Sequence, residues 1–459
     1  MTKQNARITM LKEEKVWKAL LKLGIPTMLG MLVSALYNAV DAYFVGGLGK
    51  SQMGAVSVVF PVVQIIIGLG MTFGAGASSY ISRLLGRGGQ EQASRTASTA
   101  LFSSVVTGGA VIIGILIFLD PVLRALGATE TILPYARAYA QIYIGGAIIN
   151  VFTVTMNNIV TAEGAAGYTM AAMLTGSILN IILDPIFIYK LNMGIRGAAI
   201  ATVISLFANL MFYVAYILMK KSCLRFSWRQ ITFTKEIYIQ ILKIGVPVLL
   251  FQLITSAAMS LTNTAAKPYG DYAVAAMGTV SRVITVGVYI VFGFMKGFQP
   301  FAGFNYGAKQ YGRLKKAVFL CAVGSTIFCA LTAVVLCVFA RPVVSLFGSD
   351  PDMVQLAAWA LRANAVLFVT FGFQMVYASL YLSIGEGVAG SILSLGRQGI
   401  FFIPLVLLLP HLFGMAGIVS VQPIADGVAT VVTIFFAIRF YKKLKFSKEH
   451  TQKIENKAC

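Results

Sequence analysis

Charge and histidine are scarce in this sequence. Only 12% of its 459 residues are charged and 58% are hydrophobic, and mean hydropathy is +0.81. Soluble domains carry about 25% charged residues and need a polar skin. The 37 basic and 16 acidic side chains are too clustered to provide one. Two histidines and five cysteines without CxxC spacing exclude a His-rich metal site and a disulfide scaffold. No metal and no organic cofactor are expected. The first apolar run is too long for the core of a cleavable signal peptide. What remains is a polytopic membrane protein.

A helix needs about 20 mostly apolar residues to cross the hydrocarbon. Eight charge-free windows qualify: Met53–Ile81, Thr96–Leu119, Ala138–Ala162, Gly164–Leu183, Gly197–Met219, Ile244–Ala266, Ala317–Ala340 and Ala363–Gly385. Four more carry isolated charges: Leu23–Leu48, Tyr272–Phe298, Val388–Leu409 and Gly414–Ile438. Twelve helical spans are therefore expected. The short alternating segments of a membrane barrel are missing. With twelve spans, both termini share one side. That side collects 26 of the 37 basic residues, in the N-terminal segment, the second, central and eighth loops, and the tail. Positive loops mark the cytoplasm, so both ends are expected inside. Basic character here belongs to membrane topology. A nucleic-acid partner would require a contiguous soluble basic domain, and the sequence has none.

The chain repeats itself. Lys22-Leu23-Gly24-Ile25-Pro26 matches Lys243-Ile244-Gly245-Val246-Pro247, 221 residues later. Four further matches follow in order at offsets of 219 to 224, among them Ala162-Glu163-Gly164 with Gly385-Glu386-Gly387. The expected fold is all-α: two pseudo-symmetric bundles of six helices. The first lobe spans 1–220, a linker spans 221–243, the second lobe spans 244–441 and a basic tail spans 442–459. Six is even, so the halves share one orientation and the axis relating them runs along the membrane normal. Repeats of this kind place a substrate between the halves and work by rocking, which indicates a carrier. An embedded enzyme would need a nucleophile–base pair or a metal cluster at depth, and no histidine lies in a span core.

Charges inside the bilayer cost about 2.5–3.5 kcal/mol on insertion scales and need a reason. Asp41 lies in the outer half of the first span, with Tyr37 and Asn38 on its face. Asp184 lies in the fifth span, with Asn180 four residues earlier and Thr202 of the sixth as a polar neighbour. Their counterparts in the second half are Thr262 and Ile403. A requirement of the fold would recur in both halves, so this asymmetric acid pair is assigned to a coupling ion. Buried carboxyls resist ionisation, and two neighbours titrate together. A proton suits such a pair, as does Na⁺ held by oxygens, and both remain open. Pro26 and Pro185 interrupt backbone hydrogen bonding and are candidate hinges. Asn157, Met31, Met173 and Asn38 are candidate cavity residues; flexible thioethers suit promiscuous apolar ligands. Asp426 is a third intramembrane acid, with Arg397, Arg282 and Lys296 as candidate partners. A structural ion pair or a secondary binding role is expected for Asp426 and Arg397. Glu163 and Glu386 are read as turn or helix-end residues.

These residues form a familiar combination. Pro26, Asp41, Val45-Gly46 and Leu48-Gly49 resemble the first helix of the multidrug and toxic compound extrusion (MATE) family. Gly74-Ala75, Ser82-Arg83 and Gly86 resemble its second helix, and Gly194, Gly197-Ala198-Ala199 and Ala201-Thr202 the opening of its sixth. The resemblance covers Lys18–Lys442. It implies a V-shaped pair of lobes and antiport of H⁺ or Na⁺ against amphipathic organic cations. In the branch resembled, the cation site sits in the amino-terminal lobe; the matching positions are Tyr37, Asp41, Asn157, Asn180, Asp184 and Thr202. Bending at the position of Pro26 is linked there to protonation. Another branch uses acids in the seventh and tenth helices, which this chain lacks. The partners expected are drug substrates and the lipid bilayer, with the chain monomeric. A lipid-linked oligosaccharide flippase of the same fold superfamily is the alternative. It would want a basic cavity, for which Arg282, Lys296 and Arg397 are available.

Overall fold

The computed structural model describes the backbone of residues 3–348 and 350–458, and side chains within 7–444 apart from 50, 271 and 349. Among the described residues there is no strand. A short helix, α1 (Lys3–Glu13), precedes the spans. The first six spans are α2 (Val16–Gly46), α3 (Lys50–Gly86), α4 (Gln90–Ile117), α6 (Leu133–Ala162), α7 (Ala166–Pro185) and α8 (Gly194–Leu218). A short α5 (Leu119–Ala125) caps α4. The second half repeats the plan: α9 (Lys235–Ala266), α10 (Asp271–Gly307), α11 (Tyr311–Val338), short α12 (Ala340–Ser345) and α13 (Pro351–Ser383). It ends with α14 (Gly387–Leu395), a π-helical turn over Gly396–Ile400, and α15 (Phe402–Ala458).

Among the described residues eleven apolar helical stretches are long enough to cross a bilayer, because the last one runs through two spans. It breaks at Gly414, whose φ of +60° and ψ of −136° reverse the chain. Counting both sides of that break gives the twelve expected spans.

The repeat is written into the backbone. Left-handed residues recur in register: Gly49 (φ +112°) with Gly270 (+100°), Gly164 (+81°) with Gly385 (+84°), and Gly194 (+56°) with Gly414 (+60°). A fourth pair is Gly88 (+78°) and Lys309 (+57°); Lys309 adopts the conformation without glycine's freedom. The same sharp turns therefore close the same loops in both halves. In each bundle the fourth helix, α6 or α13, is the most deeply buried and forms the core.

Two expected boundaries move. The linker was expected to run to residue 243, but α9 begins at Lys235, because Ile237 and Ile241 are buried one turn apart and carry the helix beyond the bilayer. The expected start of the tail at 442 is not a break either, since α15 continues through it. The N-terminal segment is likewise anchored: Leu11 of α1 is buried, and Arg313 of α11 donates to the Leu11 and Glu14 carbonyls (3.3 and 2.8 Å).

Both described ends of the chain lie on one face, called here the terminal face. The lobes meet on that side. Helix α3 crosses α10 at Gly86 and Gly307, α3 crosses α9 at Thr72 and Gly245, and α2 crosses α10 at Gly24 and Gly297. At each crossing a glycine lies against the opposing backbone, closer than any Cβ would permit. Hydrogen bonds between lobes follow the same pattern: Ser79 to the Leu382 carbonyl (2.5 Å), Arg83 to Gln240 (3.1 Å), Tyr80 to Glu236 (3.2 Å) and Ser103 with Tyr238 (2.7 Å). Among the described residues, none of these crossings or bonds falls in the far-face halves of the helices. The lobes are closed at the terminal face and part toward the other.

Candidate cation site and cleft

The two acids singled out by sequence come together. Asp184 is fully buried, near the far-face end of α7. Its Oδ1 accepts from Asn180 Nδ2 (3.2 Å), and the same amide reaches Thr202 Oγ1 (3.5 Å). Asp184 Oδ2 and Asn180 Oδ1 are buried and receive no N–H or O–H donor. The Asp41 carboxyl of α2 neighbours Asp184 and interacts with it electrostatically. Ionised carboxylates only accept, so the two can bond only by sharing a proton. Tyr37 lies beside the pair.

Directly after Asp184 comes Pro185, and the helix loosens into a π turn over Ile186–Lys190. Such turns are frequent where a helix is shaped for function. The missing N–H of proline explains the weakened hydrogen bonding there. Helix α2, in contrast, runs unbroken through Pro26.

Tyr139 and Tyr143 of α6 complete the surroundings of the pair and were not singled out from sequence. They stack at 5.9 Å, and Asn150 donates to the Tyr143 hydroxyl (3.4 Å). The signal existed: positions 139, 143 and 150 share one helical face. Among the described residues, no arginine or lysine contacts this group.

Asn157 is not part of it. The resemblance assigned it to the cation site, but it sits about five residues from the terminal-face end of α6, whereas Asp184 lies 18 residues from that face along α7. At 1.5 Å per residue the two are separated by about 20 Å. Asn157 instead donates to the Tyr213 hydroxyl (2.8 Å) and accepts from Lys296 of the other lobe. The remaining cavity candidates are also dispersed. Met173 packs on α2 at Gly30, and Met31 on α10 at Gly293. Asn38 is exposed and donates to the Ser34 carbonyl of its own helix (2.7 Å).

In the second lobe Asp426 has one cationic partner among the three offered. Arg397, on the π turn of the eleventh span, binds it through two nitrogens (2.6 and 3.3 Å) and lies over the Phe371 ring at 4.5 Å. Gln422 donates to the same carboxylate (2.8 Å). Lys296 turns to Asn157 and Arg282 is exposed, so neither is that partner.

Glu163 does end a helix, as expected, but it is far more enclosed than a turn residue. It is buried and accepts from the Tyr216 hydroxyl (2.5 Å), Ser222 (2.8 Å) and the Cys223 amide (2.6 Å). Arg7 of α1 donates to the Tyr216 hydroxyl (2.6 Å). Burial pushes the Glu163 carboxyl above its ordinary range, while these donors and Arg7 oppose the shift. Its counterpart Glu386 begins α14 and pairs with Lys443.

The sequence model of the MatE family matches residues 26–186 and again residues 247–408. The chain belongs to the MATE family. The two matches fall on the two repeats. Among characterised relatives, the multidrug export protein MepA of Staphylococcus haemolyticus (strain JCSC1435) is 28% identical over 97% of this chain and 98% of its own length. A solved structure described as the outward-facing conformation of a multidrug resistance MATE family transporter of the MOP superfamily superimposes with a TM-score of 0.90. It is 31% identical and covers 95% of this chain and 98% of that one. Another, from Pyrococcus furiosus Vc1 (DSM3638), has a TM-score of 0.89 with the same identity and coverage. It is described as having a binding pocket of reverse polarity that suggests a different function of a MOP superfamily transporter. Membership makes this chain a multi-pass membrane transporter, not an enzyme.

Proposed function

We propose that this protein is a multidrug efflux antiporter that exports amphipathic organic cations in exchange for H⁺, with Na⁺ as the other candidate ion. The observation that carries this is the Asp41–Asp184 pair. Two carboxyls from different helices neighbour each other with tyrosines around them and, among the described residues, no basic side chain to fix their charge. A proton entering the pair changes the net charge in a low-dielectric wall, which alters how well that wall holds a lipophilic cation. Two neighbouring carboxyls favour H⁺, because one shared proton relieves their mutual repulsion. The oxygens of Asn180 and Thr202 are the further ligands Na⁺ would use. The division into an amino-terminal lobe that couples and a carboxy-terminal lobe that closes against it follows from the placement of the acids.

The terminal face is assigned to the cytoplasm from its basic loops. A cleft closed on that face and parted on the other is then the outward-facing form, the same form as that named for the related structure. The chain is taken to act as a monomer, with each lobe supplying one wall. The test is transport in proteoliposomes under imposed pH and Na⁺ gradients, with ethidium as reporter. Export driven by inward proton movement supports the proposal, and export that follows Na⁺ and ignores pH reassigns the ion.

One observation favours a second reading, a flippase for anionic lipid-linked substrates. Lys296 stands half-buried between the lobes, with no carboxylate beside it among the described residues, and one related structure is described by reversed pocket polarity. Scrambling of a labelled phosphate-bearing lipid, with no ethidium export, would select it.

A further inference from the structure

Lys296 belongs to the second lobe and its partner to the first. Its Nζ, on α10, donates to Asn157 Oδ1 on α6, and the amide of Asn157 donates onward to the Tyr213 hydroxyl of α8 (2.8 Å). The contact lies beside a close crossing of the lobes. Gly293 and Gly297, three residues before and one after Lys296, rest on the backbone of α2 at Met28 and Gly24. Among the described residues no Asp or Glu contacts Lys296.

Most other polar links between lobes sit nearer the terminal-face helix ends, the exception being Ser103 of α4 with Tyr238. Among those near the ends are Tyr80 with Glu236 and Arg83 with Gln240, where water can replace a lost partner. Lys296 is deeper. Separating the lobes at the terminal face must pull the ammonium from Asn157. An unsolvated ammonium at that depth is costly, so it stays bonded until water reaches it. A neutral amide is a weaker partner than a carboxylate would be, which makes the bond breakable within a transport cycle.

We infer that Lys296 is a positioning residue for transport: its bond to Asn157 holds the terminal-face end of the cleft shut, and the cleft opens there only as water enters to solvate the released ammonium. This rests on alternating access between the lobes. It adds a specific residue pair that sets the balance between the two forms.

The test is a distance measurement by pulsed electron spin resonance, without substrate or ion gradient, in lipid nanodiscs. Spin labels go on cysteines at Gly167 and Val388, exposed positions opening α7 and α14 on the two lobes, in a background without native cysteines that still transports. Lys296→Met should raise the long-distance, terminal-face-open population severalfold. Lys296→Arg should restore the parental distribution, and Asn157→Asp should deplete the open population and slow export. Asn157→Ala repeats the Lys296→Met test if that variant fails to fold, since it removes the acceptor instead. Unchanged distributions in Lys296→Met and Asn157→Ala, with two forms visible in the parent, overturn the latch and leave alternating access standing. A single distance in every variant, insensitive to pH and ethidium, overturns both.

Discussion

Gly86 and Gly307 each lie against the other's helix. Gly86 of α3 packs on the Phe304 carbonyl of α10, and Gly307 of α10 packs on the Arg83 carbonyl of α3. The four positions are related by the same 221-residue offset, so the axis relating the lobes passes between them. A methyl group at either glycine meets rigid backbone. We expect Gly307→Ala to weaken the closed terminal face by about 1–3 kcal/mol, the usual cost of overpacking. A lower melting temperature in detergent and increased thiol labelling of a cysteine introduced at Ala75 would register it. Unchanged values in both would show that the crossing is loose.

Asp184→Asn should abolish ethidium export while leaving membrane insertion and folding intact. Asn preserves the shape, so Asn180 still has an acceptor, but the pair can no longer share a proton. Asp41→Asn should do the same. The measurement is dequenching or efflux in cells at matched expression, together with substrate-induced proton movement in vesicles. Export at the parental rate from either variant would remove the acids from the mechanism.

The acid pair was legible because charge at depth is expensive and its asymmetry between repeats is visible in the sequence alone. The twelve spans were legible for a similar reason: hydrocarbon thickness sets their length. Asn157 was misplaced because the resemblance carried it over by position, although the alternation of spans already separates it from Asp184. Asn157 lies near the exit of α6 and Asp184 near the exit of α7, and those exits are on opposite faces. Tyr139 and Tyr143 were missed because aromatic residues are common in spans, and only their place near Asp41 gives these two a role. The partner of Lys296 could not be read at all, since it depends on how the lobes meet.

The Arg397–Asp426 pair is expected to be structural. Removing one member of a buried pair leaves an uncompensated charge and costs about 3–5 kcal/mol, so Asp426→Asn should lower stability markedly. Replacing both, as Arg397→Met with Asp426→Leu, should recover most of that loss, because the desolvation cost disappears as well. The double variant should still export ethidium near the parental rate. A stable double variant without transport would instead give the second lobe a place in substrate or ion handling.

Glu163 should contribute a pH-dependent stability of its own. Its carboxyl is raised in the folded chain, chiefly by burial, with Tyr216, Ser222, Cys223 and Arg7 opposing. The folded protein therefore holds the proton more tightly than an unfolded carboxyl near pH 4.3 does. The stabilising contribution is then fully present below about pH 4 and is lost as pH rises through the raised value. Glu163→Gln has no proton to lose, so its melting temperature should change less with pH across the range from about 4 to 7 than that of the parent. Around it, Tyr216 and Ser222 can rotate their hydroxyls, but the Cys223 amide cannot, so the variant should keep the fold at some cost in overall stability. Thermal melts at matched ionic strength decide it: parallel curves for parent and variant would mean that Glu163 titrates in the folded chain as it does in the unfolded one.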